Sequence, residues 1–159
     1  MTRKANKNDT QFVYDLYMHP LVNSHLLYEN MDSEQFRAIY QDLLNDGVKY
    51  IFEDNNLPVG MFKFTELKHR CSHIAYIGGL AIHPDFGGKG FGSKMMQEII
   101  DLAKEMNIKR LELSVGLDNL QAQKLYAKAG FVKEGILRKY THLVSEKRFL
   151  DEVMMAYLL

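Results

Sequence analysis

One cysteine, Cys71, is all the chain contains, so no internal disulfide can form and no thiolate cluster can hold a metal. A small buried or idle thiol is its simplest reading. An excess of one charge is missing too: 20 Lys and Arg balance 20 Asp and Glu, for a formal net charge of zero. A dedicated nucleic-acid binder carries a basic excess, so nucleic acid is not an expected partner. No apolar stretch approaches the roughly 20 residues of a membrane span. Met1 to Asn8 is polar and basic, without the apolar centre of a signal peptide. No membrane partner is expected, and the location expected by default is cytoplasmic. The six histidines have no metal-ligand spacing, so no metal is expected. Repeats, low-complexity tracts and linkers are also absent. What is present is 159 residues, 47% of them hydrophobic, enough to bury the core of one domain spanning 1–159.

The periodicity predicts alternating element types. Met1 to Ala5 suits a short first strand. Asp9 and Thr10 are candidate N-caps for a helix with Phe12, Leu16 and Tyr17 on one side, stopping near His19-Pro20. Asp32 and Gln35 have the spacing of a capping box before a second helix with Phe36, Ile39, Tyr40, Leu43 and Leu44 on one face, ended by Asp46-Gly47. Val48 to Glu53 and Val59 to Leu67 read as a hairpin about Asp54-Asn55-Asn56. Ser72 to Ile82 is a nearly continuous apolar run, suited to a central strand. An amphipathic helix follows the glycines at 87–92, then a strand at Leu111 to Val115, which implies a parallel crossover. A helix over Asn119 to Lys128, ended by Gly130, precedes two last strands at 131–143 and 148–158. The order β-α-α-β-β-β-α-β-α-β-β predicts an α/β fold with a mixed sheet and helices on both faces.

The stretch from Leu80 to Ser93 is the most informative. A buried strand enters a glycine-rich turn that enters a helix directly. Unpaired amides at a helix start, backed by the helix dipole, bind anions, and glycine lets a phosphate reach the main chain. A diphosphate is the natural guest; a tight turn without a ligand is the plain alternative. A P-loop is disfavoured because Lys89 is followed by Gly90, not Ser or Thr. A dinucleotide fingerprint is disfavoured because Ser93 stands where its third glycine belongs, and the loop lies mid-chain after a hairpin.

Gly87-Gly88-Lys89-Gly90-Phe91-Gly92 resembles the diphosphate loop of the GNAT superfamily, Gln/Arg-x-x-Gly-x-Gly/Ala. It departs at Gly87, where a long side chain normally supports the loop. Asn119-Leu120-Gln121-Ala122 and Leu125-Tyr126-Ala127-Lys128-Ala129-Gly130-Phe131 resemble that family's second block, at the normal separation. The ending, from Gly135 through Lys139-Tyr140 to Asp151 and Val153, is similar to members acetylating free L-amino acids.

The resemblance implies a three-layer fold whose sheet of six or seven strands splays between two central parallel strands. It implies an acetyl-CoA-dependent N-acetyltransferase in which an amine attacks the thioester directly. Leu80, Ala81 and Ile82 would pair with the pantetheine arm, and Gly87, Gly88, Lys89, Gly90, Phe91, Gly92 and Ser93 would hold the diphosphate. A main-chain amide near Leu80 would stabilise the oxyanion. Tyr126 would protonate the departing thiolate, and Asn119 would contact the coenzyme. Tyr76 occupies the slot where many members carry a basic glutamate; His73 is better tuned as a base, and Glu66 or a water chain are alternatives. His25, Tyr28, Glu29, Tyr140 and His142 are candidates for the amine pocket. The expected partner is a small-molecule amine, with a homodimer left open. Competing readings are acetylation of a protein N-terminus or lysine, and a coenzyme A sensor without turnover.

Overall fold

The computed structural model covers residues 1–159 and has the expected element order. Seven strands, β1 (Thr2–Lys4), β2 (Lys49–Asp54), β3 (Leu57–Glu66), β4 (Ile74–Ile82), β5 (Arg110–Gly116), β6 (Val132–Leu143) and β7 (Arg148–Leu158), form one sheet in the order β1-β2-β3-β4-β5-β7-β6. Four helices, α1 (Thr10–Tyr17), α2 (Ser33–Asn45), α3 (Phe91–Glu105) and α4 (Leu120–Lys128), pack on its two faces.

Local chemistry explains the connections. Asn55 and Asn56 both adopt positive φ, 50° and 63°, in a two-residue turn that pairs Asp54 with Leu57. That geometry matches the right-handed twist of the strands, and asparagine tolerates it well. Asp32 caps α2 by accepting the Gln35 amide at 2.8 Å. At α1 the expected cap is not made. The Asp9 carboxylate instead bonds the Asn6 amide and the Arg3 guanidinium, so α1 has no side-chain cap.

Strand alternation sorts the apolar side chains into two cores. Ile51, Met61 and Ala81 face α1 and α2; Tyr50, Phe62, Ala75, Ile77 and Leu111 face α3 and α4. On α3 the fully covered residues are Met95, Met96, Ile99, Ile100 and Ala103, a helical stripe in which each large side chain contributes about 1.5–3 kcal/mol. On α1 the buried face is Val13, Leu16 and Tyr17. Phe12 is not part of it: it lies half-buried, with its ring stacked on His83 at 6.4 Å. Cys71 is exposed.

Two irregularities position the site. β4 and β5 are the only parallel neighbours, and their pairing covers only Ile74–Arg110, Ala75–Leu111 and Tyr76–Glu112. Past it, β4 continues along β3 and β5 along β7, so a wedge opens between them. The second irregularity is a bulge. Met61 pairs with Ala81 but Lys63 with Gly78, leaving Phe62 opposite both Gly79 and Leu80. Gly79 takes a left-handed φ of 53° there.

Candidate active site

From β4 the chain passes through a short 3-10 turn, Pro84–Phe86, into the glycines and then α3. Gly88 and Gly90 have φ of 72° and 81°, and a Cβ on either would meet nothing within 4 Å. These glycines are therefore required by backbone conformation, with open space above them. The Gly87 amide donates to the Pro84 carbonyl at 2.9 Å and the Lys94 amide to the Gly90 carbonyl at 3.2 Å. Between them, no amide from Gly88 to Ser93 donates a hydrogen bond within the chain. The N-cap, Gly90, offers no side chain to satisfy them. Unpaired amides at the positive end of a fifteen-residue helix fit a diphosphate.

Lys89 does not reach this space. Its Nζ folds back to the Asp85 carbonyl at 2.9 Å and lies 5.5 Å over the Phe86 ring. It braces the loop from within, where position 87 lacks the long side chain.

A cavity of about 600 Å³ runs from the loop into the wedge. Leu80, Ala81, Ile82, Gly87, Gly88, Gly90, Phe91, Gly92 and Ser93 line one wall, with Leu113, Ser114 and Val115 of β5, Asn119 and Tyr126 opposite. Asn119 caps α4 through the Ala122 amide at 3.1 Å. The buried Gln123 side chain bonds the carbonyls of Gly116 and Leu117 and accepts from Lys133, fixing the turn between β5 and α4. Tyr126 is 7% exposed. Its hydroxyl makes no hydrogen bond in the chain, and the only fully enclosed unpartnered side-chain polar atom is Thr2 Oγ1, so this hydroxyl opens to the cavity. Burial, then the nearby Tyr76, holds the Tyr126 phenol well above the usual tyrosine range.

A second cavity, about 260 Å³, lies on the α1 and α2 side of the sheet. It shares His25, Leu26, Gly78, Gly79, Ser114, Gly116 and Glu152 with the first, so the two meet at the wedge. Tyr17, Lys63, Thr65, Tyr76, Tyr140 and Thr141 complete most of its wall. Glu152 is the one carboxylate lining either cavity, and its Oε1 accepts the Thr141 hydroxyl at 2.5 Å.

The candidate residues divide accordingly. His25, Tyr76 and Tyr140 line the smaller cavity. The Tyr76 hydroxyl, however, is bonded to Ser114 Oγ at 2.6 Å, and burial raises its phenol despite that bond. His73 lies outside both cavities: it is exposed before the start of β4, where the strands are still paired, and its carbonyl accepts the Lys109 and Arg110 amides. Glu66 also lines neither cavity, because it ends β3 opposite Ala75. Tyr28 instead packs edge-on against Tyr17, at 5.0 Å between ring centroids. Glu29 accepts the Val144 and Ser145 amides, tying the α1–α2 connection to the β6–β7 turn. His142 stacks on Phe149 at 4.2 Å and is exposed, since alternation along β6 sends Thr141 toward the cavity and its neighbour away.

Glu152 and Lys63 are additions that the sequence analysis did not name. Each is a charged residue beside or inside an apolar strand run, a signal readable before the fold is known.

The family model described as the acetyltransferase (GNAT) family matches residues 10–131. Among curated relatives, the spermidine N(1)-acetyltransferase of Vibrio cholerae is 27% identical over 91% of this chain and 82% of its own length. The L-amino acid N-acetyltransferase AaaT of Escherichia coli is 26% identical over 97% of this chain and 94% of its own length. Among solved structures, the spermidine N-acetyltransferase from Vibrio cholerae in complex with CoA and spermine superimposes with a TM-score of 0.86 at 23% identity, covering 99% of this chain and 94% of that one. The likeness to that structure concerns the fold.

Proposed function

The chain belongs to the acetyltransferase (GNAT) family, and on that premise we propose that it moves the acetyl group of acetyl-CoA onto the primary amine of a small molecule, a free amino acid best fitting the pocket. One observation carries this reading. The unpaired amides of Gly88 to Ser93 lie at one end of a cavity that meets a second, smaller one at the wedge, and the Glu152 carboxylate lines both where they join.

Acetyl-CoA supplies an activated thioester. The amides of Gly88 to Ser93 hold its diphosphate. The edge of β4 from Leu80 to Ile82, unpaired on the β5 side, pairs with the pantetheine arm as an added strand would. The bulge amide at Leu80 donates to the thioester oxygen; one such donor is worth roughly a hundredfold in rate. Tyr126 donates its proton to the departing sulfur. The enclosure that raises this phenol raises the basicity of an unsolvated thiolate as well, so the transfer stays matched. Glu152 attracts the acceptor's ammonium and takes its first proton; the second leaves the nitrogen as the tetrahedral adduct collapses and balances the one that Tyr126 gives to the sulfur.

The smaller cavity suggests the acceptor. It holds one carboxylate, Glu152, and one lysine, Lys63, with His25 at its edge. A zwitterion suits that pair, with its ammonium at Glu152 and its carboxylate at Lys63. A polyamine would face a lysine with only one carboxylate to offset its several charges.

Thiol release from acetyl-CoA, measured across L-amino acids, polyamines and an N-terminal peptide, tests the proposal. The highest kcat/KM is expected with a free amino acid. Tight acetyl-CoA binding with no release for any amine would make the chain a sensor and refute the reading.

A further inference from the structure

The mechanism leaves one buried amine unused. Lys49 of β2 is 1% exposed, and its only side-chain hydrogen bond is from Nζ to the Tyr17 hydroxyl, 3.1 Å away. The same nitrogen lies 4.6 Å over the Tyr17 ring. No carboxylate contributes to its surroundings; burial first, then the neighbouring Lys63, holds its pKa well below the ordinary lysine range. Enclosing an amine without a counter-charge costs stability that an apolar side chain of like shape would not.

The pair ends on one point of the backbone. A Cβ built on Gly79 would lie 2.6 Å from the Tyr17 hydroxyl and 3.6 Å from Lys49 Nζ. Gly79 is the left-handed residue of the β4 bulge, and it lines both cavities where they meet. The Tyr17 ring is itself held, with Tyr28 at 5.0 Å and Phe36 at 5.6 Å. Lys49 thus orients a hydroxyl whose ring is packed in place, and that hydroxyl is seated against the one glycine of β4 held at positive φ.

We infer that Lys49 and Tyr17 are a positioning pair that holds the Gly79–Leu80 bulge in the shape aiming its amide at the thioester oxygen. The inference rests on the acyl-transfer reading above. An oxyanion donor is effective only when it is already in place as charge develops. A bulge can shift along its ladder, and here the β3–β4 register differs by one residue on either side of Phe62. Wedging two polar heads against Gly79 blocks that shift.

The test is the double variant Lys49→Met with Tyr17→Phe, which replaces both polar partners by apolar groups of similar shape and so preserves stability. Expected are an unfolding midpoint at or above wild type, a KM for acetyl-CoA within about twofold, and kcat lower by about tenfold or more, the scale of a displaced oxyanion donor. The Gly79 and Leu80 amides should exchange with deuterium faster than in wild type. Tyr17→Phe alone, which keeps the ring packing, is the second variant and should lower kcat in the same way. Wild-type kcat together with wild-type exchange in a folded variant overturns the inference. If the wild-type chain releases no thiol with any amine, it is the proposed function that fails; amide exchange still reads the pair without turnover.

Discussion

The Tyr76 hydroxyl lies 2.6 Å from Ser114 Oγ, a bond thrown from β4 to β5 just past the last backbone pair of the two strands. The Ser114 amide donates to the same hydroxyl at 3.3 Å. The side chain pins the wedge at its apex, and with its phenol raised by burial it is not a base near neutral pH. Tyr76→Phe should therefore cost about 1–2 kcal/mol of stability in chemical denaturation and leave most of kcat. A loss of about a hundredfold, the scale of a missing general base, would instead give Tyr76 a catalytic role.

Tyr126→Phe separates chemistry from binding. The hydroxyl has no partner within the chain to lose, so stability and acetyl-CoA affinity should stay close to wild type. The acetyl-transfer rate should fall by about a hundredfold, as for loss of a general acid. The sign of the pKa shift adds a pH test. An acid works while protonated, and burial raises this phenol above its ordinary 10.0. Activity should accordingly show no alkaline decline attributable to Tyr126 below about pH 10, and stopped-flow thiol release across pH reads this directly.

Gly90→Val attacks the loop twice. The position needs a φ of 81°, which a β-branched residue resists, and the added side chain would project into the open space above the amides. Calorimetry with acetyl-CoA should show no measurable binding, while the distant α1–α2 core keeps the chain folded. Unchanged affinity would place the diphosphate elsewhere.

Glu152→Gln keeps an acceptor for the Thr141 hydroxyl but removes the charge proposed to face the amine. The KM for the amine should rise by about tenfold or more, the scale of a lost charged hydrogen bond, with the KM for acetyl-CoA unchanged. Equal effects on both substrates would argue that Glu152 only supports the wedge.

Much of the larger cavity's lining was legible in advance. The run from Leu80 to Ser93 and the block from Asn119 to Phe131 are continuous in the chain, and each places its own residues. Turn, cap and helix start are local events, which is why the glycines, Asn119 and Tyr126 all line the larger cavity. The smaller cavity, proposed for the amine, was much less legible. His73, Tyr28, Glu29 and His142 have suitable chemistry, but none lines either cavity, because strand parity and the path of the α1–α2 connection turn them elsewhere. Glu152 and Lys63, which do line the smaller cavity, come from strands that are far apart in sequence.

The order of helices and strands, the glycine-rich turn before α3 and the membership of an acyltransferase family were written in the sequence, since hydrophobic period, glycine conformation and capping act over a few residues. Where β4 and β5 part, which residue the β4 bulge exposes, and the meeting of Lys49 with Tyr17 belong to the tertiary structure alone. Those features depend on register between separate strands, and a shift of one residue would send each of these side chains to the other face.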